Sequence, residues 1–193
     1  MSKYLVAIAM KDEAQGLFEK SGIDVLYTGL GKVNASYRLM KEIARRTERG
    51  ESPTHVLNFG TAGSSKFETH ALIECIHFVQ RDMNVTALGL DHGVTPFDVL
   101  PKTLSVAPKF TWLRTGICGT GDSFETGVPP VACDIVDMEA YALAKICAHE
   151  GIAFSCVKYI TDGSDHNAHN DWQANLPKAA AAFFETYRRF VDT

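Results

Sequence analysis

Apolar residues fall along this chain in short unbroken runs separated by longer stretches of helical period, and the alternation predicts a β-then-α order. Lys3 to Met10 predicts a buried strand, and Asp12 to Lys20 a short helix after the Lys11-Asp12-Glu13 turn. Asp24 to Thr28 is a second strand-like run. Gly29-Leu30-Gly31 then turns into a helix with Val33, Tyr37, Met40, Ile43 and Ala44 as its apolar positions. His55 to Phe59 predicts a short strand closed by Gly60-Thr61-Ala62-Gly63, and Ala71 to Val79 a longer one. Asp91 to Pro101, with Gly93 and Pro96, reads as a loop before a strand at Thr103 to Ala107. Arg114 to Cys118 and Ala132 to Val136 look like two more strands.

From Asp137 to Glu150 the pattern is a helix with carboxylates in its first turn, Lys145 and His149 near its end and Gly151 as its stop. Ala153 to Ile160 is almost continuously apolar, as in a strand covered on both faces. A last helix from about Trp172 carries Leu176, Ala180, Phe183, Phe184, Tyr187, Phe190 and Val191 on one face. No repeat, low-complexity tract or linker interrupts the series, so a single domain over residues 1–193 is expected. The class is α/β with a largely parallel or mixed sheet.

Composition narrows the partners. With 193 residues, 46% hydrophobic, the chain is long enough for one well-buried core. A net charge of −4, with no basic cluster beyond Arg45-Arg46 and Arg188-Arg189, leaves no footprint for nucleic acid. No segment reads as a signal peptide or a membrane span, so a cytoplasmic protein acting on a small molecule is expected. Five widely spaced cysteines fit neither a disulfide framework nor metal-ligand spacing and read as buried free thiols.

Two glycine motifs can be tested by spacing. A P-loop around Gly31-Lys32 would need Gly where Leu26 stands and Ser or Thr where Val33 stands. A dinucleotide fingerprint would need a third Gly at Asn34. Both fail. His166-x-x-His169 beside Asp165 and Asp171 lacks a third well-placed ligand, so no metal and no cofactor are expected.

What survives is a constellation of strand ends. Met10 leads to Glu13, Phe59 to Gly60-Thr61-Ala62-Gly63, and Ile160 to Thr161-Asp162. If these strands are parallel neighbours, their ends share one edge of the sheet and bound one crevice, with Glu13 and Asp162 facing each other. Paired carboxylates in different surroundings can protonate a leaving group and activate a water, as glycoside chemistry requires. The simpler account is that Glu13 favours its helix dipole and Asp162 caps a turn.

The chain resembles the nucleoside phosphorylase and nucleosidase superfamily, most closely the 5′-methylthioadenosine/S-adenosylhomocysteine nucleosidases. The resemblance runs through Ala9-Met10-x-x-Glu13, Gly29-Leu30-Gly31-Lys32-Val33, Asn58-x-Gly60-Thr61-Ala62-Gly63, Asp82-x-Asn84-Val85-Thr86-Ala87-x-Gly89, Thr120-Gly121-Asp122-Ser123-Phe124, Val136-Asp137-Met138-Glu139-Ala140 and Ile160-Thr161-Asp162. It implies a three-layer αβα fold around a mixed, largely parallel twisted sheet. It also implies a hydrolase that releases adenine from a purine nucleoside without a cofactor, working as a homodimer. Asp162 matches the general acid at the purine and Glu13 the carboxylate that activates water. Glu139 matches the holder of the ribose hydroxyls, Met138 the residue against the sugar, and Phe124 the aromatic on the purine. Thr61, Ala62 and Gly63 match the turn near water and sugar. Trp172 matches an aromatic wall at the 5′-substituent, and Met10 and Thr161 complete the substrate-binding set.

In phosphorylases of this superfamily an arginine for phosphate stands where this chain has Asn58, so water is the expected nucleophile. Two departures stand out. The chain is shorter than usual members, mostly between Gly22 and Asp24, and Lys158 replaces an arginine, which is expected to alter how Asp162 or Glu139 is oriented. The alternatives are a nucleosidase for another purine nucleoside such as a futalosine-like substrate, a nucleoside phosphorylase, and a purine-nucleoside binding module without turnover.

Overall fold

The computed structural model describes residues 3–125, 127–163 and 168–192, with backbone alone at 168–171. Its first half lays down β1 (Tyr4–Ile8), α1 (Lys11–Ala14), α2 (Leu17–Lys20), β2 (Val25–Tyr27), α3 (Lys32–Thr47), β3 (His55–Gly63) and β4 (Leu72–Gln80). There follow β5 (Thr103–Ser105), β6 (Arg114–Thr120), β7 (Ile135–Asp137), α4 (Ala140–Glu150), β8 (Ala153–Asp162) and α5 (Ala168–Val191). All eight strands join one mixed sheet. Strand β1 runs parallel to β2 and β3, β3 parallel to β8, and β4 parallel to β6, which is parallel to β7. Antiparallel contacts join β4 to β5 and β8, and β7 to the end of β3.

Strand alternation explains why β1, β3 and β8 carry apolar residues on both of their faces. Leu5, Ala7, Val56, Cys156 and Ile160 face one side with α3 and α4, whereas Val6, Ile8, Leu57, Phe59 and Val157 face the other with α5. Helices thus cover both faces of the α/β sheet, and each large aliphatic side chain buried contributes about 1.5–3 kcal/mol. The sheet is mixed and largely parallel, as the resemblance implies.

Several boundaries differ from the sequence reading, each for a local reason. The helix expected over Asp12 to Lys20 is two single turns, because Gln15 (φ 50°) and Gly16 (φ 67°) are left-handed. Gly60 to Gly63 is not a closing turn. Pairing of Gly60, Thr61 and Ala62 with Lys158, Tyr159 and Ile160 carries β3 through it. In α3 the buried stripe is Ala35, Leu39 and Ile43, while Val33 and Tyr37 are 78% and 60% exposed. Helix α4 starts only at Ala140, so Asp137 ends β7 and Glu139 is the N-cap; neither carboxylate lies in a first helical turn. Strand β6 runs on to Thr120 and α5 begins at Ala168, earlier than Trp172. Gly151, at φ 66°, closes α4 as expected. Cys75, Cys118, Cys147 and Cys156 are buried free thiols, and Cys133 is half-buried.

The side chains of Asp165, His166, His169 and Asp171 lie outside the described residues. Among the described residues no helix is long and apolar enough to cross a membrane.

Candidate active site

The C-terminal ends of β1, β3 and β8 lie side by side, and those of β7, β6 and β4 complete the rim of a cavity of about 280 Å³. Met10, Glu13, Thr61, Ala62, Gly63 and Trp172 line it. Phe124, Met138, Glu139, Thr161 and Asp162 line it as well, so the cavity gathers every site residue expected from the sequence.

Glu13 reaches the cavity because α1 is a single turn that folds straight back over the end of β1. Its Oε1 accepts hydrogen bonds from Thr61 N (2.8 Å) and Thr61 Oγ1 (2.6 Å), and its Oε2 accepts one from Met10 N (3.3 Å). Thr61 Oγ1 in turn accepts from Trp172 Nε1 at 2.9 Å. Three donors therefore fix one buried carboxylate, and the indole is tied to the same hydroxyl. Gly60 leaves the space beneath: a Cβ there would come 2.9 Å from Lys158 Nζ and 3.8 Å from Glu13 Oε1.

Asp162 is buried at the end of β8. Its Oδ2 accepts from Thr161 Oγ1 (2.8 Å), its carbonyl accepts from Ser64 N (3.1 Å), and Asn175 of α5 donates to the Thr161 carbonyl (2.9 Å). The strand end is thus anchored from β3 and α5.

Glu139 is held more lightly. Its Oε1 accepts from Gly31 N at 2.8 Å. Burial, reinforced by the neighbouring negative charge of Asp137, pushes its carboxyl up to about 8. Asp137 itself accepts from Thr120 Oγ1 (2.5 Å) and from the backbone N–H groups of Glu139 (3.3 Å) and Ala140 (2.8 Å), which serves the start of α4. Its Oδ2 lies 2.8 Å from Lys158 Nζ, both side chains being almost fully buried. Burial opposes the charge on each, yet their pairing outweighs it, holding Asp137 below and Lys158 well above their ordinary values. Lys158 is paired with Asp137, and its charge also acts on Glu139, one of the two carboxylates whose orientation the replacement of arginine by lysine is expected to alter.

Phe124 lies on the cavity wall and is half exposed. The segment that carries it is tied down by Arg81 at the end of β4. Arg81 Nη1 donates to Ser123 Oγ (3.0 Å) and Glu125 Oε2 (2.9 Å), and Nη2 donates to the carbonyls of Gly121 (3.4 Å) and Ser123. Sequence reasoning missed Arg81, Glu125 and the pairing of Asp137 with Lys158. The one available signal was a lone cation, Arg81, directly before the Asp82 motif at the end of an apolar run.

The sequence pattern of the phosphorylase superfamily matches residues 14–192, starting one residue after Glu13. A 5′-methylthioadenosine/S-adenosylhomocysteine nucleosidase from Buchnera aphidicola is 28% identical over 186 residues, covering 86% of this chain and 77% of that protein. One from Actinobacillus succinogenes is 28% identical over 198 residues, covering 90% and 80%. Among solved structures, a Helicobacter pylori MTAN mutant with 5′-methylthioadenosine in the active site superposes with a TM-score of 0.88 at 20% identity, covering 100% of this chain and 99% of that one. A futalosine hydrolase mutant from the same species gives 0.86 at 20% identity, covering 100% and 99%. At that identity the superpositions speak for the fold alone.

Proposed function

The chain belongs to the phosphorylase superfamily, and from that premise we propose that it hydrolyses the N-glycosidic bond of a purine nucleoside of the 5′-methylthioadenosine or S-adenosylhomocysteine type. In this reading Glu139 holds the ribose hydroxyls, Met138 packs against the sugar and Phe124 lies on the base. The C1′–N9 bond breaks with its electron pair leaving on the purine, while Asp162 supplies a proton or hydrogen bond at N7. Glu13 takes the proton of a water whose oxygen bonds to C1′. Adenine and the free sugar are the products.

One observation carries the proposal: Glu13, Glu139 and Asp162 converge on a single cavity from three separate strand ends. The nucleosidase names of the relatives supply the substrate class. The engagement of nearby donors supports water over phosphate. Asn58 Nδ2 donates to the Ala7 carbonyl at 3.0 Å, Lys158 is paired with Asp137, and both Nη groups of Arg81 are engaged by the segment from Gly121 to Glu125. A phosphate dianion needs a guanidinium or ammonium free to meet it.

A homodimer and a cytoplasmic location belong to the same reading. The exposed Leu30, Val33, Tyr37 and Leu88, close to the motifs around Gly31 and Thr86, support a second copy as the cover of that face.

The test is base release from methylthioadenosine, adenosylhomocysteine, adenosine and inosine, with and without phosphate. Release without phosphate is expected, and strict phosphate dependence would sink the hydrolase. Asp162→Asn is expected to lower kcat about 10²–10⁴-fold with binding retained; full activity would remove Asp162 from the acid role.

A further inference from the structure

Trp172 and Asn175 lie three residues apart on one face of α5, and each gives a hydrogen bond to the end of a different strand. Trp172 Nε1 donates to Thr61 Oγ1 of β3 at 2.9 Å. Asn175, itself buried, donates from Nδ2 to the Thr161 carbonyl of β8 at 2.9 Å. A wall at the 5′-substituent, the part expected of Trp172, calls on its ring and leaves its N–H unexplained.

An indole N–H can only donate, and a threonine hydroxyl has one proton. The contact with Trp172 cannot take that proton, which is left for Glu13 Oε1, 2.6 Å away. Oε1 then meets two short donors, this hydroxyl and Thr61 N at 2.8 Å, enough to fill both of its lone pairs. Oε2 meets Met10 N alone, at 3.3 Å. Among the described residues the open lone pair of this carboxylate is therefore on Oε2, ready for the proton of a water. Without the indole the hydroxyl is free to rotate and to turn its proton off Oε1.

At the other strand end the pairing of β3 with β8 passes from Ala62–Ile160 to Gly63–Asp162 and skips Thr161. A bulge of this kind re-aims a side chain and takes its extra residue out of the ladder. Asn175 meets the carbonyl of the skipped residue, which shares one rigid peptide plane with the Asp162 nitrogen. Holding that plane fixes the direction in which Asp162 leaves the strand.

We propose that Trp172 and Asn175 are positioning residues of the reaction. Through Thr61, Trp172 leaves Oε2 of Glu13 as the oxygen that receives the proton of water, and through the Thr161 carbonyl Asn175 aims Asp162 at the leaving base. One turn of α5 thus sets both ends of the chemistry. The inference rests on the hydrolytic reading of Glu13 and Asp162.

The test is steady-state base release from methylthioadenosine without phosphate. Trp172→Phe keeps an aromatic wall and removes the N–H, so kcat is expected to fall about tenfold with KM changed less than about threefold. Thr61→Val is expected to lower kcat at least as far, and Trp172→Phe to lower it no further in that background. Thr61→Ser keeps the hydroxyl and is expected to keep the sensitivity to Trp172→Phe. Asn175→Leu is expected to lower kcat about tenfold independently of both, because it acts on the other carboxylate, with melting curves as a check on folding. The chain has two tryptophans, so the indole proton of Trp172 can be followed by NMR, and Thr61→Val is expected to shift it. A change in KM alone, equal losses of kcat from Trp172→Phe with and without the Thr61 hydroxyl, or an indole signal that ignores Thr61→Val overturns the role of Trp172. Full kcat in folded Asn175→Leu overturns that of Asn175. A wild type that releases no base, with an indole signal that still follows Thr61→Val, would instead overturn the hydrolase reading and leave the link from Trp172 to Thr61 standing.

Discussion

Glu13 and Glu139 are both buried carboxylates on the rim of the same cavity, yet they are held in opposite ways. Glu13 meets donors from Met10 and Thr61 on both oxygens and has no cation bonded to it among the described residues. Glu139 has the single amide of Gly31 and sits beside Asp137, whose charge is balanced from below by Lys158. The first arrangement fixes the direction of a lone pair, as positioning a small nucleophile demands. The second leaves an oxygen uncommitted and the charge adjustable, which suits a group that must receive hydroxyl donors from a ligand.

The largest effect is expected at the fixed end. Glu13→Gln replaces an acceptor with a group that sets an amide against donor N–H or O–H groups, and kcat is expected to fall about 10²–10⁴-fold with a smaller change in KM. Steady-state kinetics on base release checks this; a KM change alone would mean that Glu13 only binds. Beneath the adjustable end, Lys158→Met leaves Asp137 buried and unpaired, and urea denaturation is expected to show a loss of about 3–5 kcal/mol. Adding Asp137→Asn to that variant is expected to restore part of it. Additive losses in the double variant would show that the two residues do not act as a pair.

Phe124→Ala sharpens the contrast between holding and reacting. Base stacking contributes about 1–3 kcal/mol, so KM is expected to rise by roughly ten- to a hundredfold with kcat nearly preserved. The smallest effect is a pH dependence. With its carboxyl near 8 rather than 4.5, folded Glu139 keeps a proton that the unfolded chain has released between those values, so its contribution to stability is lost as pH rises through that window. Glu139→Gln, neutral throughout, is expected to gain a few degrees in Tm over the wild type at pH 9, at about 2–4 °C per kcal/mol, and little at pH 5. Equal differences at both pH values would place the shift elsewhere.

Much of the frame was legible because burial on both faces leaves an unmistakable apolar run, as in β1 and β8. The strand-end carboxylates could be read for the same reason, since a polar residue that closes such a run falls on the sheet edge. Helix faces were harder. Val33 and Tyr37 fit a helical period, but which stripe of α3 turns inward depends on what the sheet and α4 offer, and the sheet took Ala35, Leu39 and Ile43. Asp137 was misplaced because the helical pattern extends back through residues that a ladder with β6 holds extended. Gly60 to Gly63 looked like a turn because glycine is a local breaker, whereas a partner strand overrides that tendency. Arg81 and Glu125 lie 44 positions apart, and nothing local announces their pairing.

The central claim is that water, positioned by Glu13, attacks the sugar. The direct measurement is a reaction in ¹⁸O-labelled water with product analysis by mass spectrometry. The account predicts one ¹⁸O at C1 of the released sugar and free adenine whether or not phosphate is present; an unlabelled sugar 1-phosphate formed only in the presence of phosphate would contradict it.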